Sequence, residues 1–156
     1  MIIDIKNTKI YLISPGINKY RNRLFTGFSR LVDEGFIRVE YFKSVCGLNN
    51  TSSLTNTVIE IFKLELYNDR PFIILEDDCA FFTKYNIIEV PDNMDALYLG
   101  VSLWTYPYSV DTLYNKQRPN IIHNSDSTVK SYDDVLTQIK GMTGTHAILY
   151  NSCEFM

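Results

Sequence analysis

Three adjacent carboxylates, Glu76-Asp77-Asp78, follow the unbroken apolar run Phe72–Leu75. If the extended backbone continues through the acids, Glu76 and Asp78 point to one side of the sheet and Asp77 points to the other. Two carboxylates at this spacing can share a divalent cation such as Mg²⁺ or Mn²⁺, and the third can contact a ribose, a sugar or a backbone amide. Adjacent acids also mark solvated strand ends, so a structural interpretation stays open. Apolar residues on both sides weaken it, because carboxylates without partners are costly in apolar surroundings.

Composition narrows the class of protein that carries this cluster. The chain has 156 residues, of which 46% are hydrophobic and 21% charged, as expected for one folded domain. A net charge of −3 gives no broad electrostatic footprint for nucleic acid. No apolar run approaches the roughly 20 residues of a membrane helix, and the first residues lack the pattern of a basic segment followed by an apolar one that is typical of a signal peptide. Three widely spaced cysteines predict neither disulfides nor a zinc site, so a cytoplasmic protein without a transmembrane segment is expected.

The elements that must position the acids are predicted from periodicity. Alternating or continuous apolar patterns predict three strands, and spacings of three and four predict two helices between them. The strands cover Lys9–Ile13, Ile37–Phe42 and Pro71–Leu75; one helix spans Leu24 to Val32 and ends at Gly35, and the other spans Leu54 to Leu66 with Ser52 or Ser53 as its cap. This alternation predicts an α/β/α sandwich with a mostly parallel central sheet.

The second half of the chain has weaker patterns. Asp95–Gly100 and His146–Tyr150 are predicted as strands, and Tyr132–Lys140 as a short helix. An aromatic stretch holds Trp104, Tyr106 and Tyr108, whose rings suit either a sugar contact or ordinary packing; these three aromatic residues alternate with Thr105 and Pro107.

Several segments together resemble glycosyltransferase family 25, which includes lipooligosaccharide and collagen galactosyltransferases. PFIILEDDCAFF resembles the family's acidic strand, KIYLISPGINKYRNRL its opening strand, and GTHAILY a late strand. In this alignment Ser14 stands where the family has Asn, Arg21 falls on the family's Arg, and His146 lies in the late strand. The resemblance covers nearly the whole chain, in order.

The resemblance implies a GT-A-like, Rossmann-like fold and transfer of a hexose from a UDP-linked sugar to a glycan or lipooligosaccharide acceptor. It implies that Glu76 and Asp78 bind Mn²⁺ or Mg²⁺, and that Asp77 is catalytic and contacts the donor. Ser14, Arg21 and His146 are the further donor contacts it implies. Arg21 in a solvated loop and His146 as a structural histidine remain alternative interpretations.

Residues 1–156 are expected to form a single glycosyltransferase-like domain. Because the family continues beyond the late strand, this domain is either incomplete at its C-terminus or a reduced homologue. Two other functions stay open. One is a nucleotide-sugar or carbohydrate-binding module with the same fold and no turnover. The other is a Mg²⁺-dependent nuclease or phosphatase-like domain, which the acidic pI near 5.3 disfavours for nucleic acid.

Overall fold

The computed structural model describes residues 1–78, 86–99, 129–131, 137–139 and 147–151. The chain divides into two compact units, one of residues 1–100 with 145–156 and one of residues 101–144. The first unit carries strands β1 to β6 and β9 with helices α1 and α2, and the second carries β7 and β8. The elements are β1 (Ile2–Asp4), β2 (Lys9–Ser14), α1 (Arg21–Asp33), β3 (Val39–Lys43), α2 (Asn50–Glu65), β4 (Phe72–Glu76), β5 (Ile87–Glu89), β6 (Ala96–Tyr98), β7 (Val129–Ser131), β8 (Thr137–Ile139) and β9 (Ala147–Tyr150).

A mixed sheet organises the first unit. Among the described residues its five strands lie in the order β3-β2-β4-β9-β6. β2 pairs in parallel with both β3 and β4, whereas β9 is antiparallel to its neighbours β4 and β6. The predicted α/β class is confirmed at this level, with four strands in one direction and β9 against them. A short antiparallel pair, β1 with β5, was not expected from the sequence.

The two helices cover opposite faces of the sheet. Side chains alternate along β2, so Tyr11 and Ile13 share one face while Leu12 lies on the other. Tyr11 and Ile13 belong to a buried cluster that includes Ile61 and Phe62 of α2. On the opposite face, α1 comes so close that a Cβ added to Gly27 would lie 3.9 Å from Leu12 Cδ2.

Local sequence explains where the helices begin and end. α1 stops before Gly35, whose φ of 85° is the left-handed conformation that terminates helices. α2 begins with a capping box, in which the Asn49 side chain accepts from the Ser52 N–H and the Ser52 hydroxyl accepts from the Asn49 N–H. The predicted caps Ser52 and Ser53 were therefore wrong by three or four residues, because Asn49 takes the cap position and Ser52 completes the box.

The helix predicted at Tyr132–Lys140 was wrong at its C-terminal end. Thr137–Ile139 forms β8, which pairs antiparallel with Val129–Ser131. Ladder hydrogen bonds to a neighbouring strand override the weak helical pattern of this short segment. Residues 132–136 lie outside the described residues.

No helix within the described part of the chain has the length and apolar content needed to cross a membrane.

Candidate functional site

The parallel strands β2, β3 and β4 end at one edge of the sheet, here called the carboxyl edge. Ser14 is paired with Lys43 at the ends of β2 and β3, and Ile13 is paired with Glu76 at the end of β4. The Asp77 N–H then donates to the Ile13 carbonyl at 3.0 Å, which fixes the Asp77 backbone directly beyond this edge. In open α/β sheets, ligands bind in crevices at this position.

Arg23 of α1 contacts two of the three acids. Its Nη2 lies 2.5 Å from Asp77 Oδ1, and its Nη1 lies 3.4 Å from Asp78 Oδ2. The guanidinium also stacks on Tyr20, with Cζ 4.6 Å from the ring centroid. A positive charge that the sequence did not assign to this site therefore already compensates part of the acidic cluster.

Asp77 keeps one carboxylate oxygen without a partner. The residue is 3% exposed, and within the described part of the chain its Oδ2 is buried with no hydrogen bond. Buried polar atoms are almost always satisfied, because leaving one bare forfeits its hydration without replacement. A bare carboxylate oxygen can accept a hydrogen bond or coordinate a cation, so Asp77 is a candidate binding residue.

A cavity of about 310 Å³ lies beside Asp77. The cavity, called here the acid–arginine cavity, is lined by Asn22, Arg23, Thr26, Gly27, Arg30, Asp77 and Asp78. The helix packs against the turn that carries the acids, since a Cβ added to Gly27 would lie at contact distance, 3.4 Å, from the Asp77 carbonyl oxygen. One wall is thus a helix face that carries polar side chains, and the other is the turn that follows β4.

Tyr41 of β3 adds an aromatic ring near the same edge. It pairs in register with Leu12, so its side chain lies on the face of the sheet that α1 covers. The ring is 43% exposed. Burial, followed by the negative charge of Asp77, raises the pKa of Tyr41, so the hydroxyl stays protonated at neutral pH.

Gly16 makes room for Tyr41. An added Cβ on Gly16 would lie 2.5 Å from the Tyr41 hydroxyl oxygen, and the φ of 68° at Gly16 also disfavours any residue with a side chain. The Ser14-Pro15-Gly16 turn therefore brings the β2 end close to the hydroxyl of Tyr41.

The predicted sides of the acids need correction. Asp77 and Asp78 were expected on opposite sides, but both contact Arg23 and line one cavity. The strand ends at Glu76, and the two aspartates lie in a turn where strand alternation no longer applies. Glu76 is partly buried and has an interaction of its own. Among the described residues, Asp77 and Asp78 are the acids that line the cavity.

The other predicted site residues have different positions. Ser14 is buried, and its hydroxyl accepts a long 3.5 Å hydrogen bond from the Gly16 N–H, which serves the turn. Arg21 is the exposed first residue of α1, and of the described arginines it is Arg23 and Arg30 that line the cavity. His146 lies outside the described residues, as do Trp104, Tyr106 and Tyr108.

Sequence reasoning missed the contribution of α1. Asn22, Thr26 and Arg30 follow each other at intervals of four residues, and Arg23 and Gly27 do the same. This spacing places them on one helix face. Polar residues and a glycine at helical spacing, opposite the apolar stripe, were the available signal.

Asp77 and Asp78 fit a cation, but incompletely. Within the described residues no group of three or more His, Cys, Asp or Glu side chains is placed to hold a metal ion. Two carboxylates, one of which has the bare Oδ2 of Asp77, suit a hard cation that completes its coordination with ligand and water oxygens, as Mg²⁺ and Mn²⁺ do.

Comparison with protein-family models, with curated proteins and with solved structures gives no match to this chain.

Proposed function

We propose that the acid–arginine cavity binds a nucleotide-sugar together with Mn²⁺ or Mg²⁺, and that a GT-A-type domain here transfers the hexose to a glycan acceptor. The observation that carries the proposal is the buried, unpartnered Oδ2 of Asp77 beside Asp78, at the carboxyl edge of a parallel strand set. The family 25-like segments supply the choice of donor.

In this proposal Asp77 and Asp78 hold the cation. We propose this pair in place of the predicted pair Glu76 and Asp78, because the unpartnered oxygen belongs to Asp77 and both aspartates line the cavity. When bound, the cation stabilises the negative charge that develops on the leaving diphosphate. The guanidinium of Arg30 lines the same cavity and is suited to contact a phosphate oxygen of the donor.

The remaining residues predicted to contact the donor have indirect or untested roles in this proposal. Ser14 contributes through the turn that it stabilises, since its side chain is buried. Arg21 and His146 remain proposed donor contacts from the family resemblance. Tyr41 is an added candidate, because an exposed aromatic ring at a crevice can stack on a sugar or base.

One observation favours a second candidate, a nucleotide-sugar-binding module without turnover. The charge of Asp77 and Asp78 is partly compensated by Arg23. Binding of a ligand through hydroxyl donors to Asp77 Oδ2 then needs no cation. The two candidates differ in their dependence on Mn²⁺ and in whether the bond between sugar and diphosphate is broken.

Calorimetric titration with UDP, with and without Mn²⁺, tests the site. Wild type is expected to bind UDP in a Mn²⁺-dependent manner, and Asp78→Asn and Asp77→Asn are expected to lose that binding. Asp69→Asn is the matched control, since Asp69 is an exposed acid beyond the end of α2. Equal binding by the control and the two site variants would exclude this cavity as the nucleotide site.

Turnover separates the enzyme from the binding module. Incubation with UDP-glucose or UDP-galactose and Mn²⁺ is expected to release UDP, faster when a glycan acceptor is present. Mn²⁺-independent binding of the intact donor with no release of UDP would instead establish the binding module.

A further inference from the structure

We propose that Arg23 is a displaceable counterion: it holds Asp77 and Asp78 in the cation-free protein and leaves both acids when a divalent cation binds between them. The inference rests on the cation site of the proposed function. The inference adds that Arg23 competes with the cation for the two acids, and the proposed function does not require this competition.

The geometry places Arg23 where a cation would have to bind. Its two terminal nitrogens lie 2.5 Å from Asp77 Oδ1 and 3.4 Å from Asp78 Oδ2, so one guanidinium spans the two carboxylates. A cation that these carboxylates share would lie within a few ångströms of that guanidinium. Like charges at such a separation repel strongly, and more so beside a buried carboxylate than in bulk water.

Burial determines which partner moves. Asp77 is 3% exposed, and its backbone N–H is bonded to the Ile13 carbonyl, so this acid is fixed to the sheet. The Arg23 side chain is 41% exposed and extends from the surface of α1. Arg23 can therefore swing into solvent and recover its hydration there, whereas Asp77 stays in place.

Tyr20 holds the guanidinium in its cation-free position. The Arg23 Cζ lies 4.6 Å from the Tyr20 ring centroid, a stacking distance that favours one orientation of the planar group. Tyr20 is not among the residues that line the cavity. Changing Tyr20 therefore weakens the hold on Arg23 without altering the charge of the site.

Arg30 supplies a matched control. It lines the same cavity from the same helix, about two turns beyond Arg23. Within the described residues, the ion pairs to Asp77 and Asp78 come from Arg23 and not from Arg30. Arg30→Gln and Arg23→Gln remove the same charge from one cavity, but Arg23→Gln also removes the guanidinium that contacts the two acids.

The experiment measures Mn²⁺ affinity in the absence of any nucleotide, by calorimetry and by electron paramagnetic resonance of free Mn²⁺. Arg23→Gln is expected to bind Mn²⁺ about tenfold more tightly than wild type. Arg30→Gln is expected to change the Mn²⁺ affinity by about twofold or less, since the Arg30 charge is exposed and screened, and the phosphate contact proposed for it needs a nucleotide, which this titration omits. Tyr20→Leu is expected to tighten binding about threefold with the net charge unchanged.

Arg23→Lys keeps the proposal testable if Arg23→Gln does not fold. An ammonium group cannot span two carboxylates as a guanidinium does, so Arg23→Lys is expected to bind Mn²⁺ more tightly than wild type and less tightly than Arg23→Gln. Far-UV circular dichroism of each variant establishes folding before titration.

The outcomes separate this inference from the proposed function. Equal Mn²⁺ affinity in wild type, Arg23→Gln and Tyr20→Leu would overturn the competition and leave the cation site standing. Weaker binding in Arg23→Gln than in Arg30→Gln would also overturn it, because Arg23 would then position the acids for the cation. Absence of Mn²⁺ binding in every variant would overturn the inference together with the cation of the proposed function.

Discussion

Two carboxylates, Glu65 and Asp77, are equally buried at opposite edges of one sheet, and they differ in how their oxygens are satisfied. Each residue is 3% exposed. Glu65 ends α2 and contacts Lys9, the first residue of β2, whereas Asp77 lies beyond the opposite edge. Both glutamate oxygens are hydrogen-bonded, but Asp77 leaves one bare within the described residues.

The Glu65 site is complete. Oε1 accepts from Lys9 Nζ at 3.0 Å and from the Tyr11 hydroxyl, and Oε2 accepts from Asn68 Nδ2 at 2.6 Å. Lys9 also lies 4.5 Å above the Tyr11 ring centroid and 3.4 Å from Glu40 Oε2. Every partner comes from this chain, so the network ties α2 to the sheet and needs nothing from outside.

The pKa shifts of Glu65, Tyr11 and Lys9 are consistent with a fully hydrogen-bonded Glu65 carboxylate. Burial alone would raise the pKa of Glu65, but hydrogen bonds from Tyr11, Lys9 and Asn68 outweigh it and hold that pKa below its usual value. Burial and the bond to Glu65 raise the pKa of Tyr11 to about 12. Burial lowers the pKa of Lys9, yet its bonds to Tyr11 and Glu65 raise it by more.

The difference teaches which buried acid is structural. A buried carboxylate that only stabilises the fold is expected to accept hydrogen bonds on both of its oxygens, and Glu65 does so. The fold can retain the bare oxygen of Asp77 because Arg23 compensates the negative charge. A ligand or a cation can then supply the contact that this oxygen lacks. We therefore expect changes at Glu65 to lower stability and changes at Asp77 to lower binding.

Glu65→Ala is expected to have the largest effect, a loss of about 3 kcal/mol in the free energy of unfolding. The substitution leaves the buried Tyr11 hydroxyl and the largely buried Lys9 ammonium without their shared acceptor. Urea denaturation measures the loss. Glu60→Ala is the control on the same helix, since its exposed pair with Lys63 is worth about 0.5 kcal/mol or less. Equal losses in the two variants would contradict a structural role for Glu65.

The contribution of the Glu65 charge is expected to depend on pH. At neutral pH Glu65→Gln should be less stable than wild type by about 1–2 kcal/mol. Because the pKa of Glu65 is lowered in the folded protein, this advantage is present above the unfolded-state pKa and is lost as the pH falls through the folded-state pKa. Urea midpoints from about pH 7 to about pH 3 should converge for the two proteins. If the difference in urea midpoint between wild type and Glu65→Gln stays constant over this range, the charge of Glu65 is not the source of the greater stability of wild type.

Asp77→Asn is expected to change the free energy of unfolding by about 1 kcal/mol or less, although Asp77 is as buried as Glu65. The cost of breaking a buried pair comes from the charge left behind, and here that charge is Arg23, which is partly exposed and retains Asp78. The same variant should lose Mn²⁺-dependent UDP binding. A stability loss near that of Glu65→Ala, with binding intact, would reverse the assignment of the two sites.

The sequence allowed the main elements to be predicted, because they carry strong patterns. The apolar runs of β2 and β4 and the helical spacing of α1 and α2 lie where they were expected. Glu65 lies among the apolar residues Ile61, Phe62 and Leu66 at helical spacing, a position that the sequence also shows. The direction of β9 was not, since a short apolar run pairs equally well in either direction.

The site could be predicted in its location but not in its geometry. The apolar strand before Glu76 fixed the edge at which the acids lie. Which acids share a side depends on the residue at which the strand ends, and here it ends one residue before Asp77. The choice of Arg23 over Arg21 depends on which face of α1 meets the turn after β4, and the helical spacing of Arg23 and Gly27 was the signal for that face.

Gly27→Ala is expected to have the smallest effect on stability, a gain of about 0.5 kcal/mol. Alanine is the better helix former, and its Cβ would meet the Asp77 carbonyl oxygen at 3.4 Å, an ordinary contact distance. Gly35→Ala is the control, expected to lose about 1 kcal/mol, because φ at Gly35 is 85°. The added methyl of Gly27→Ala should weaken UDP binding by narrowing the acid–arginine cavity, while the Glu65 network stays unchanged. A loss of stability in Gly27→Ala would mean that α1 packs against the turn more tightly than this contact indicates. The turn at Asp77 would then be part of the stabilising core of the fold, as the Glu65 network is.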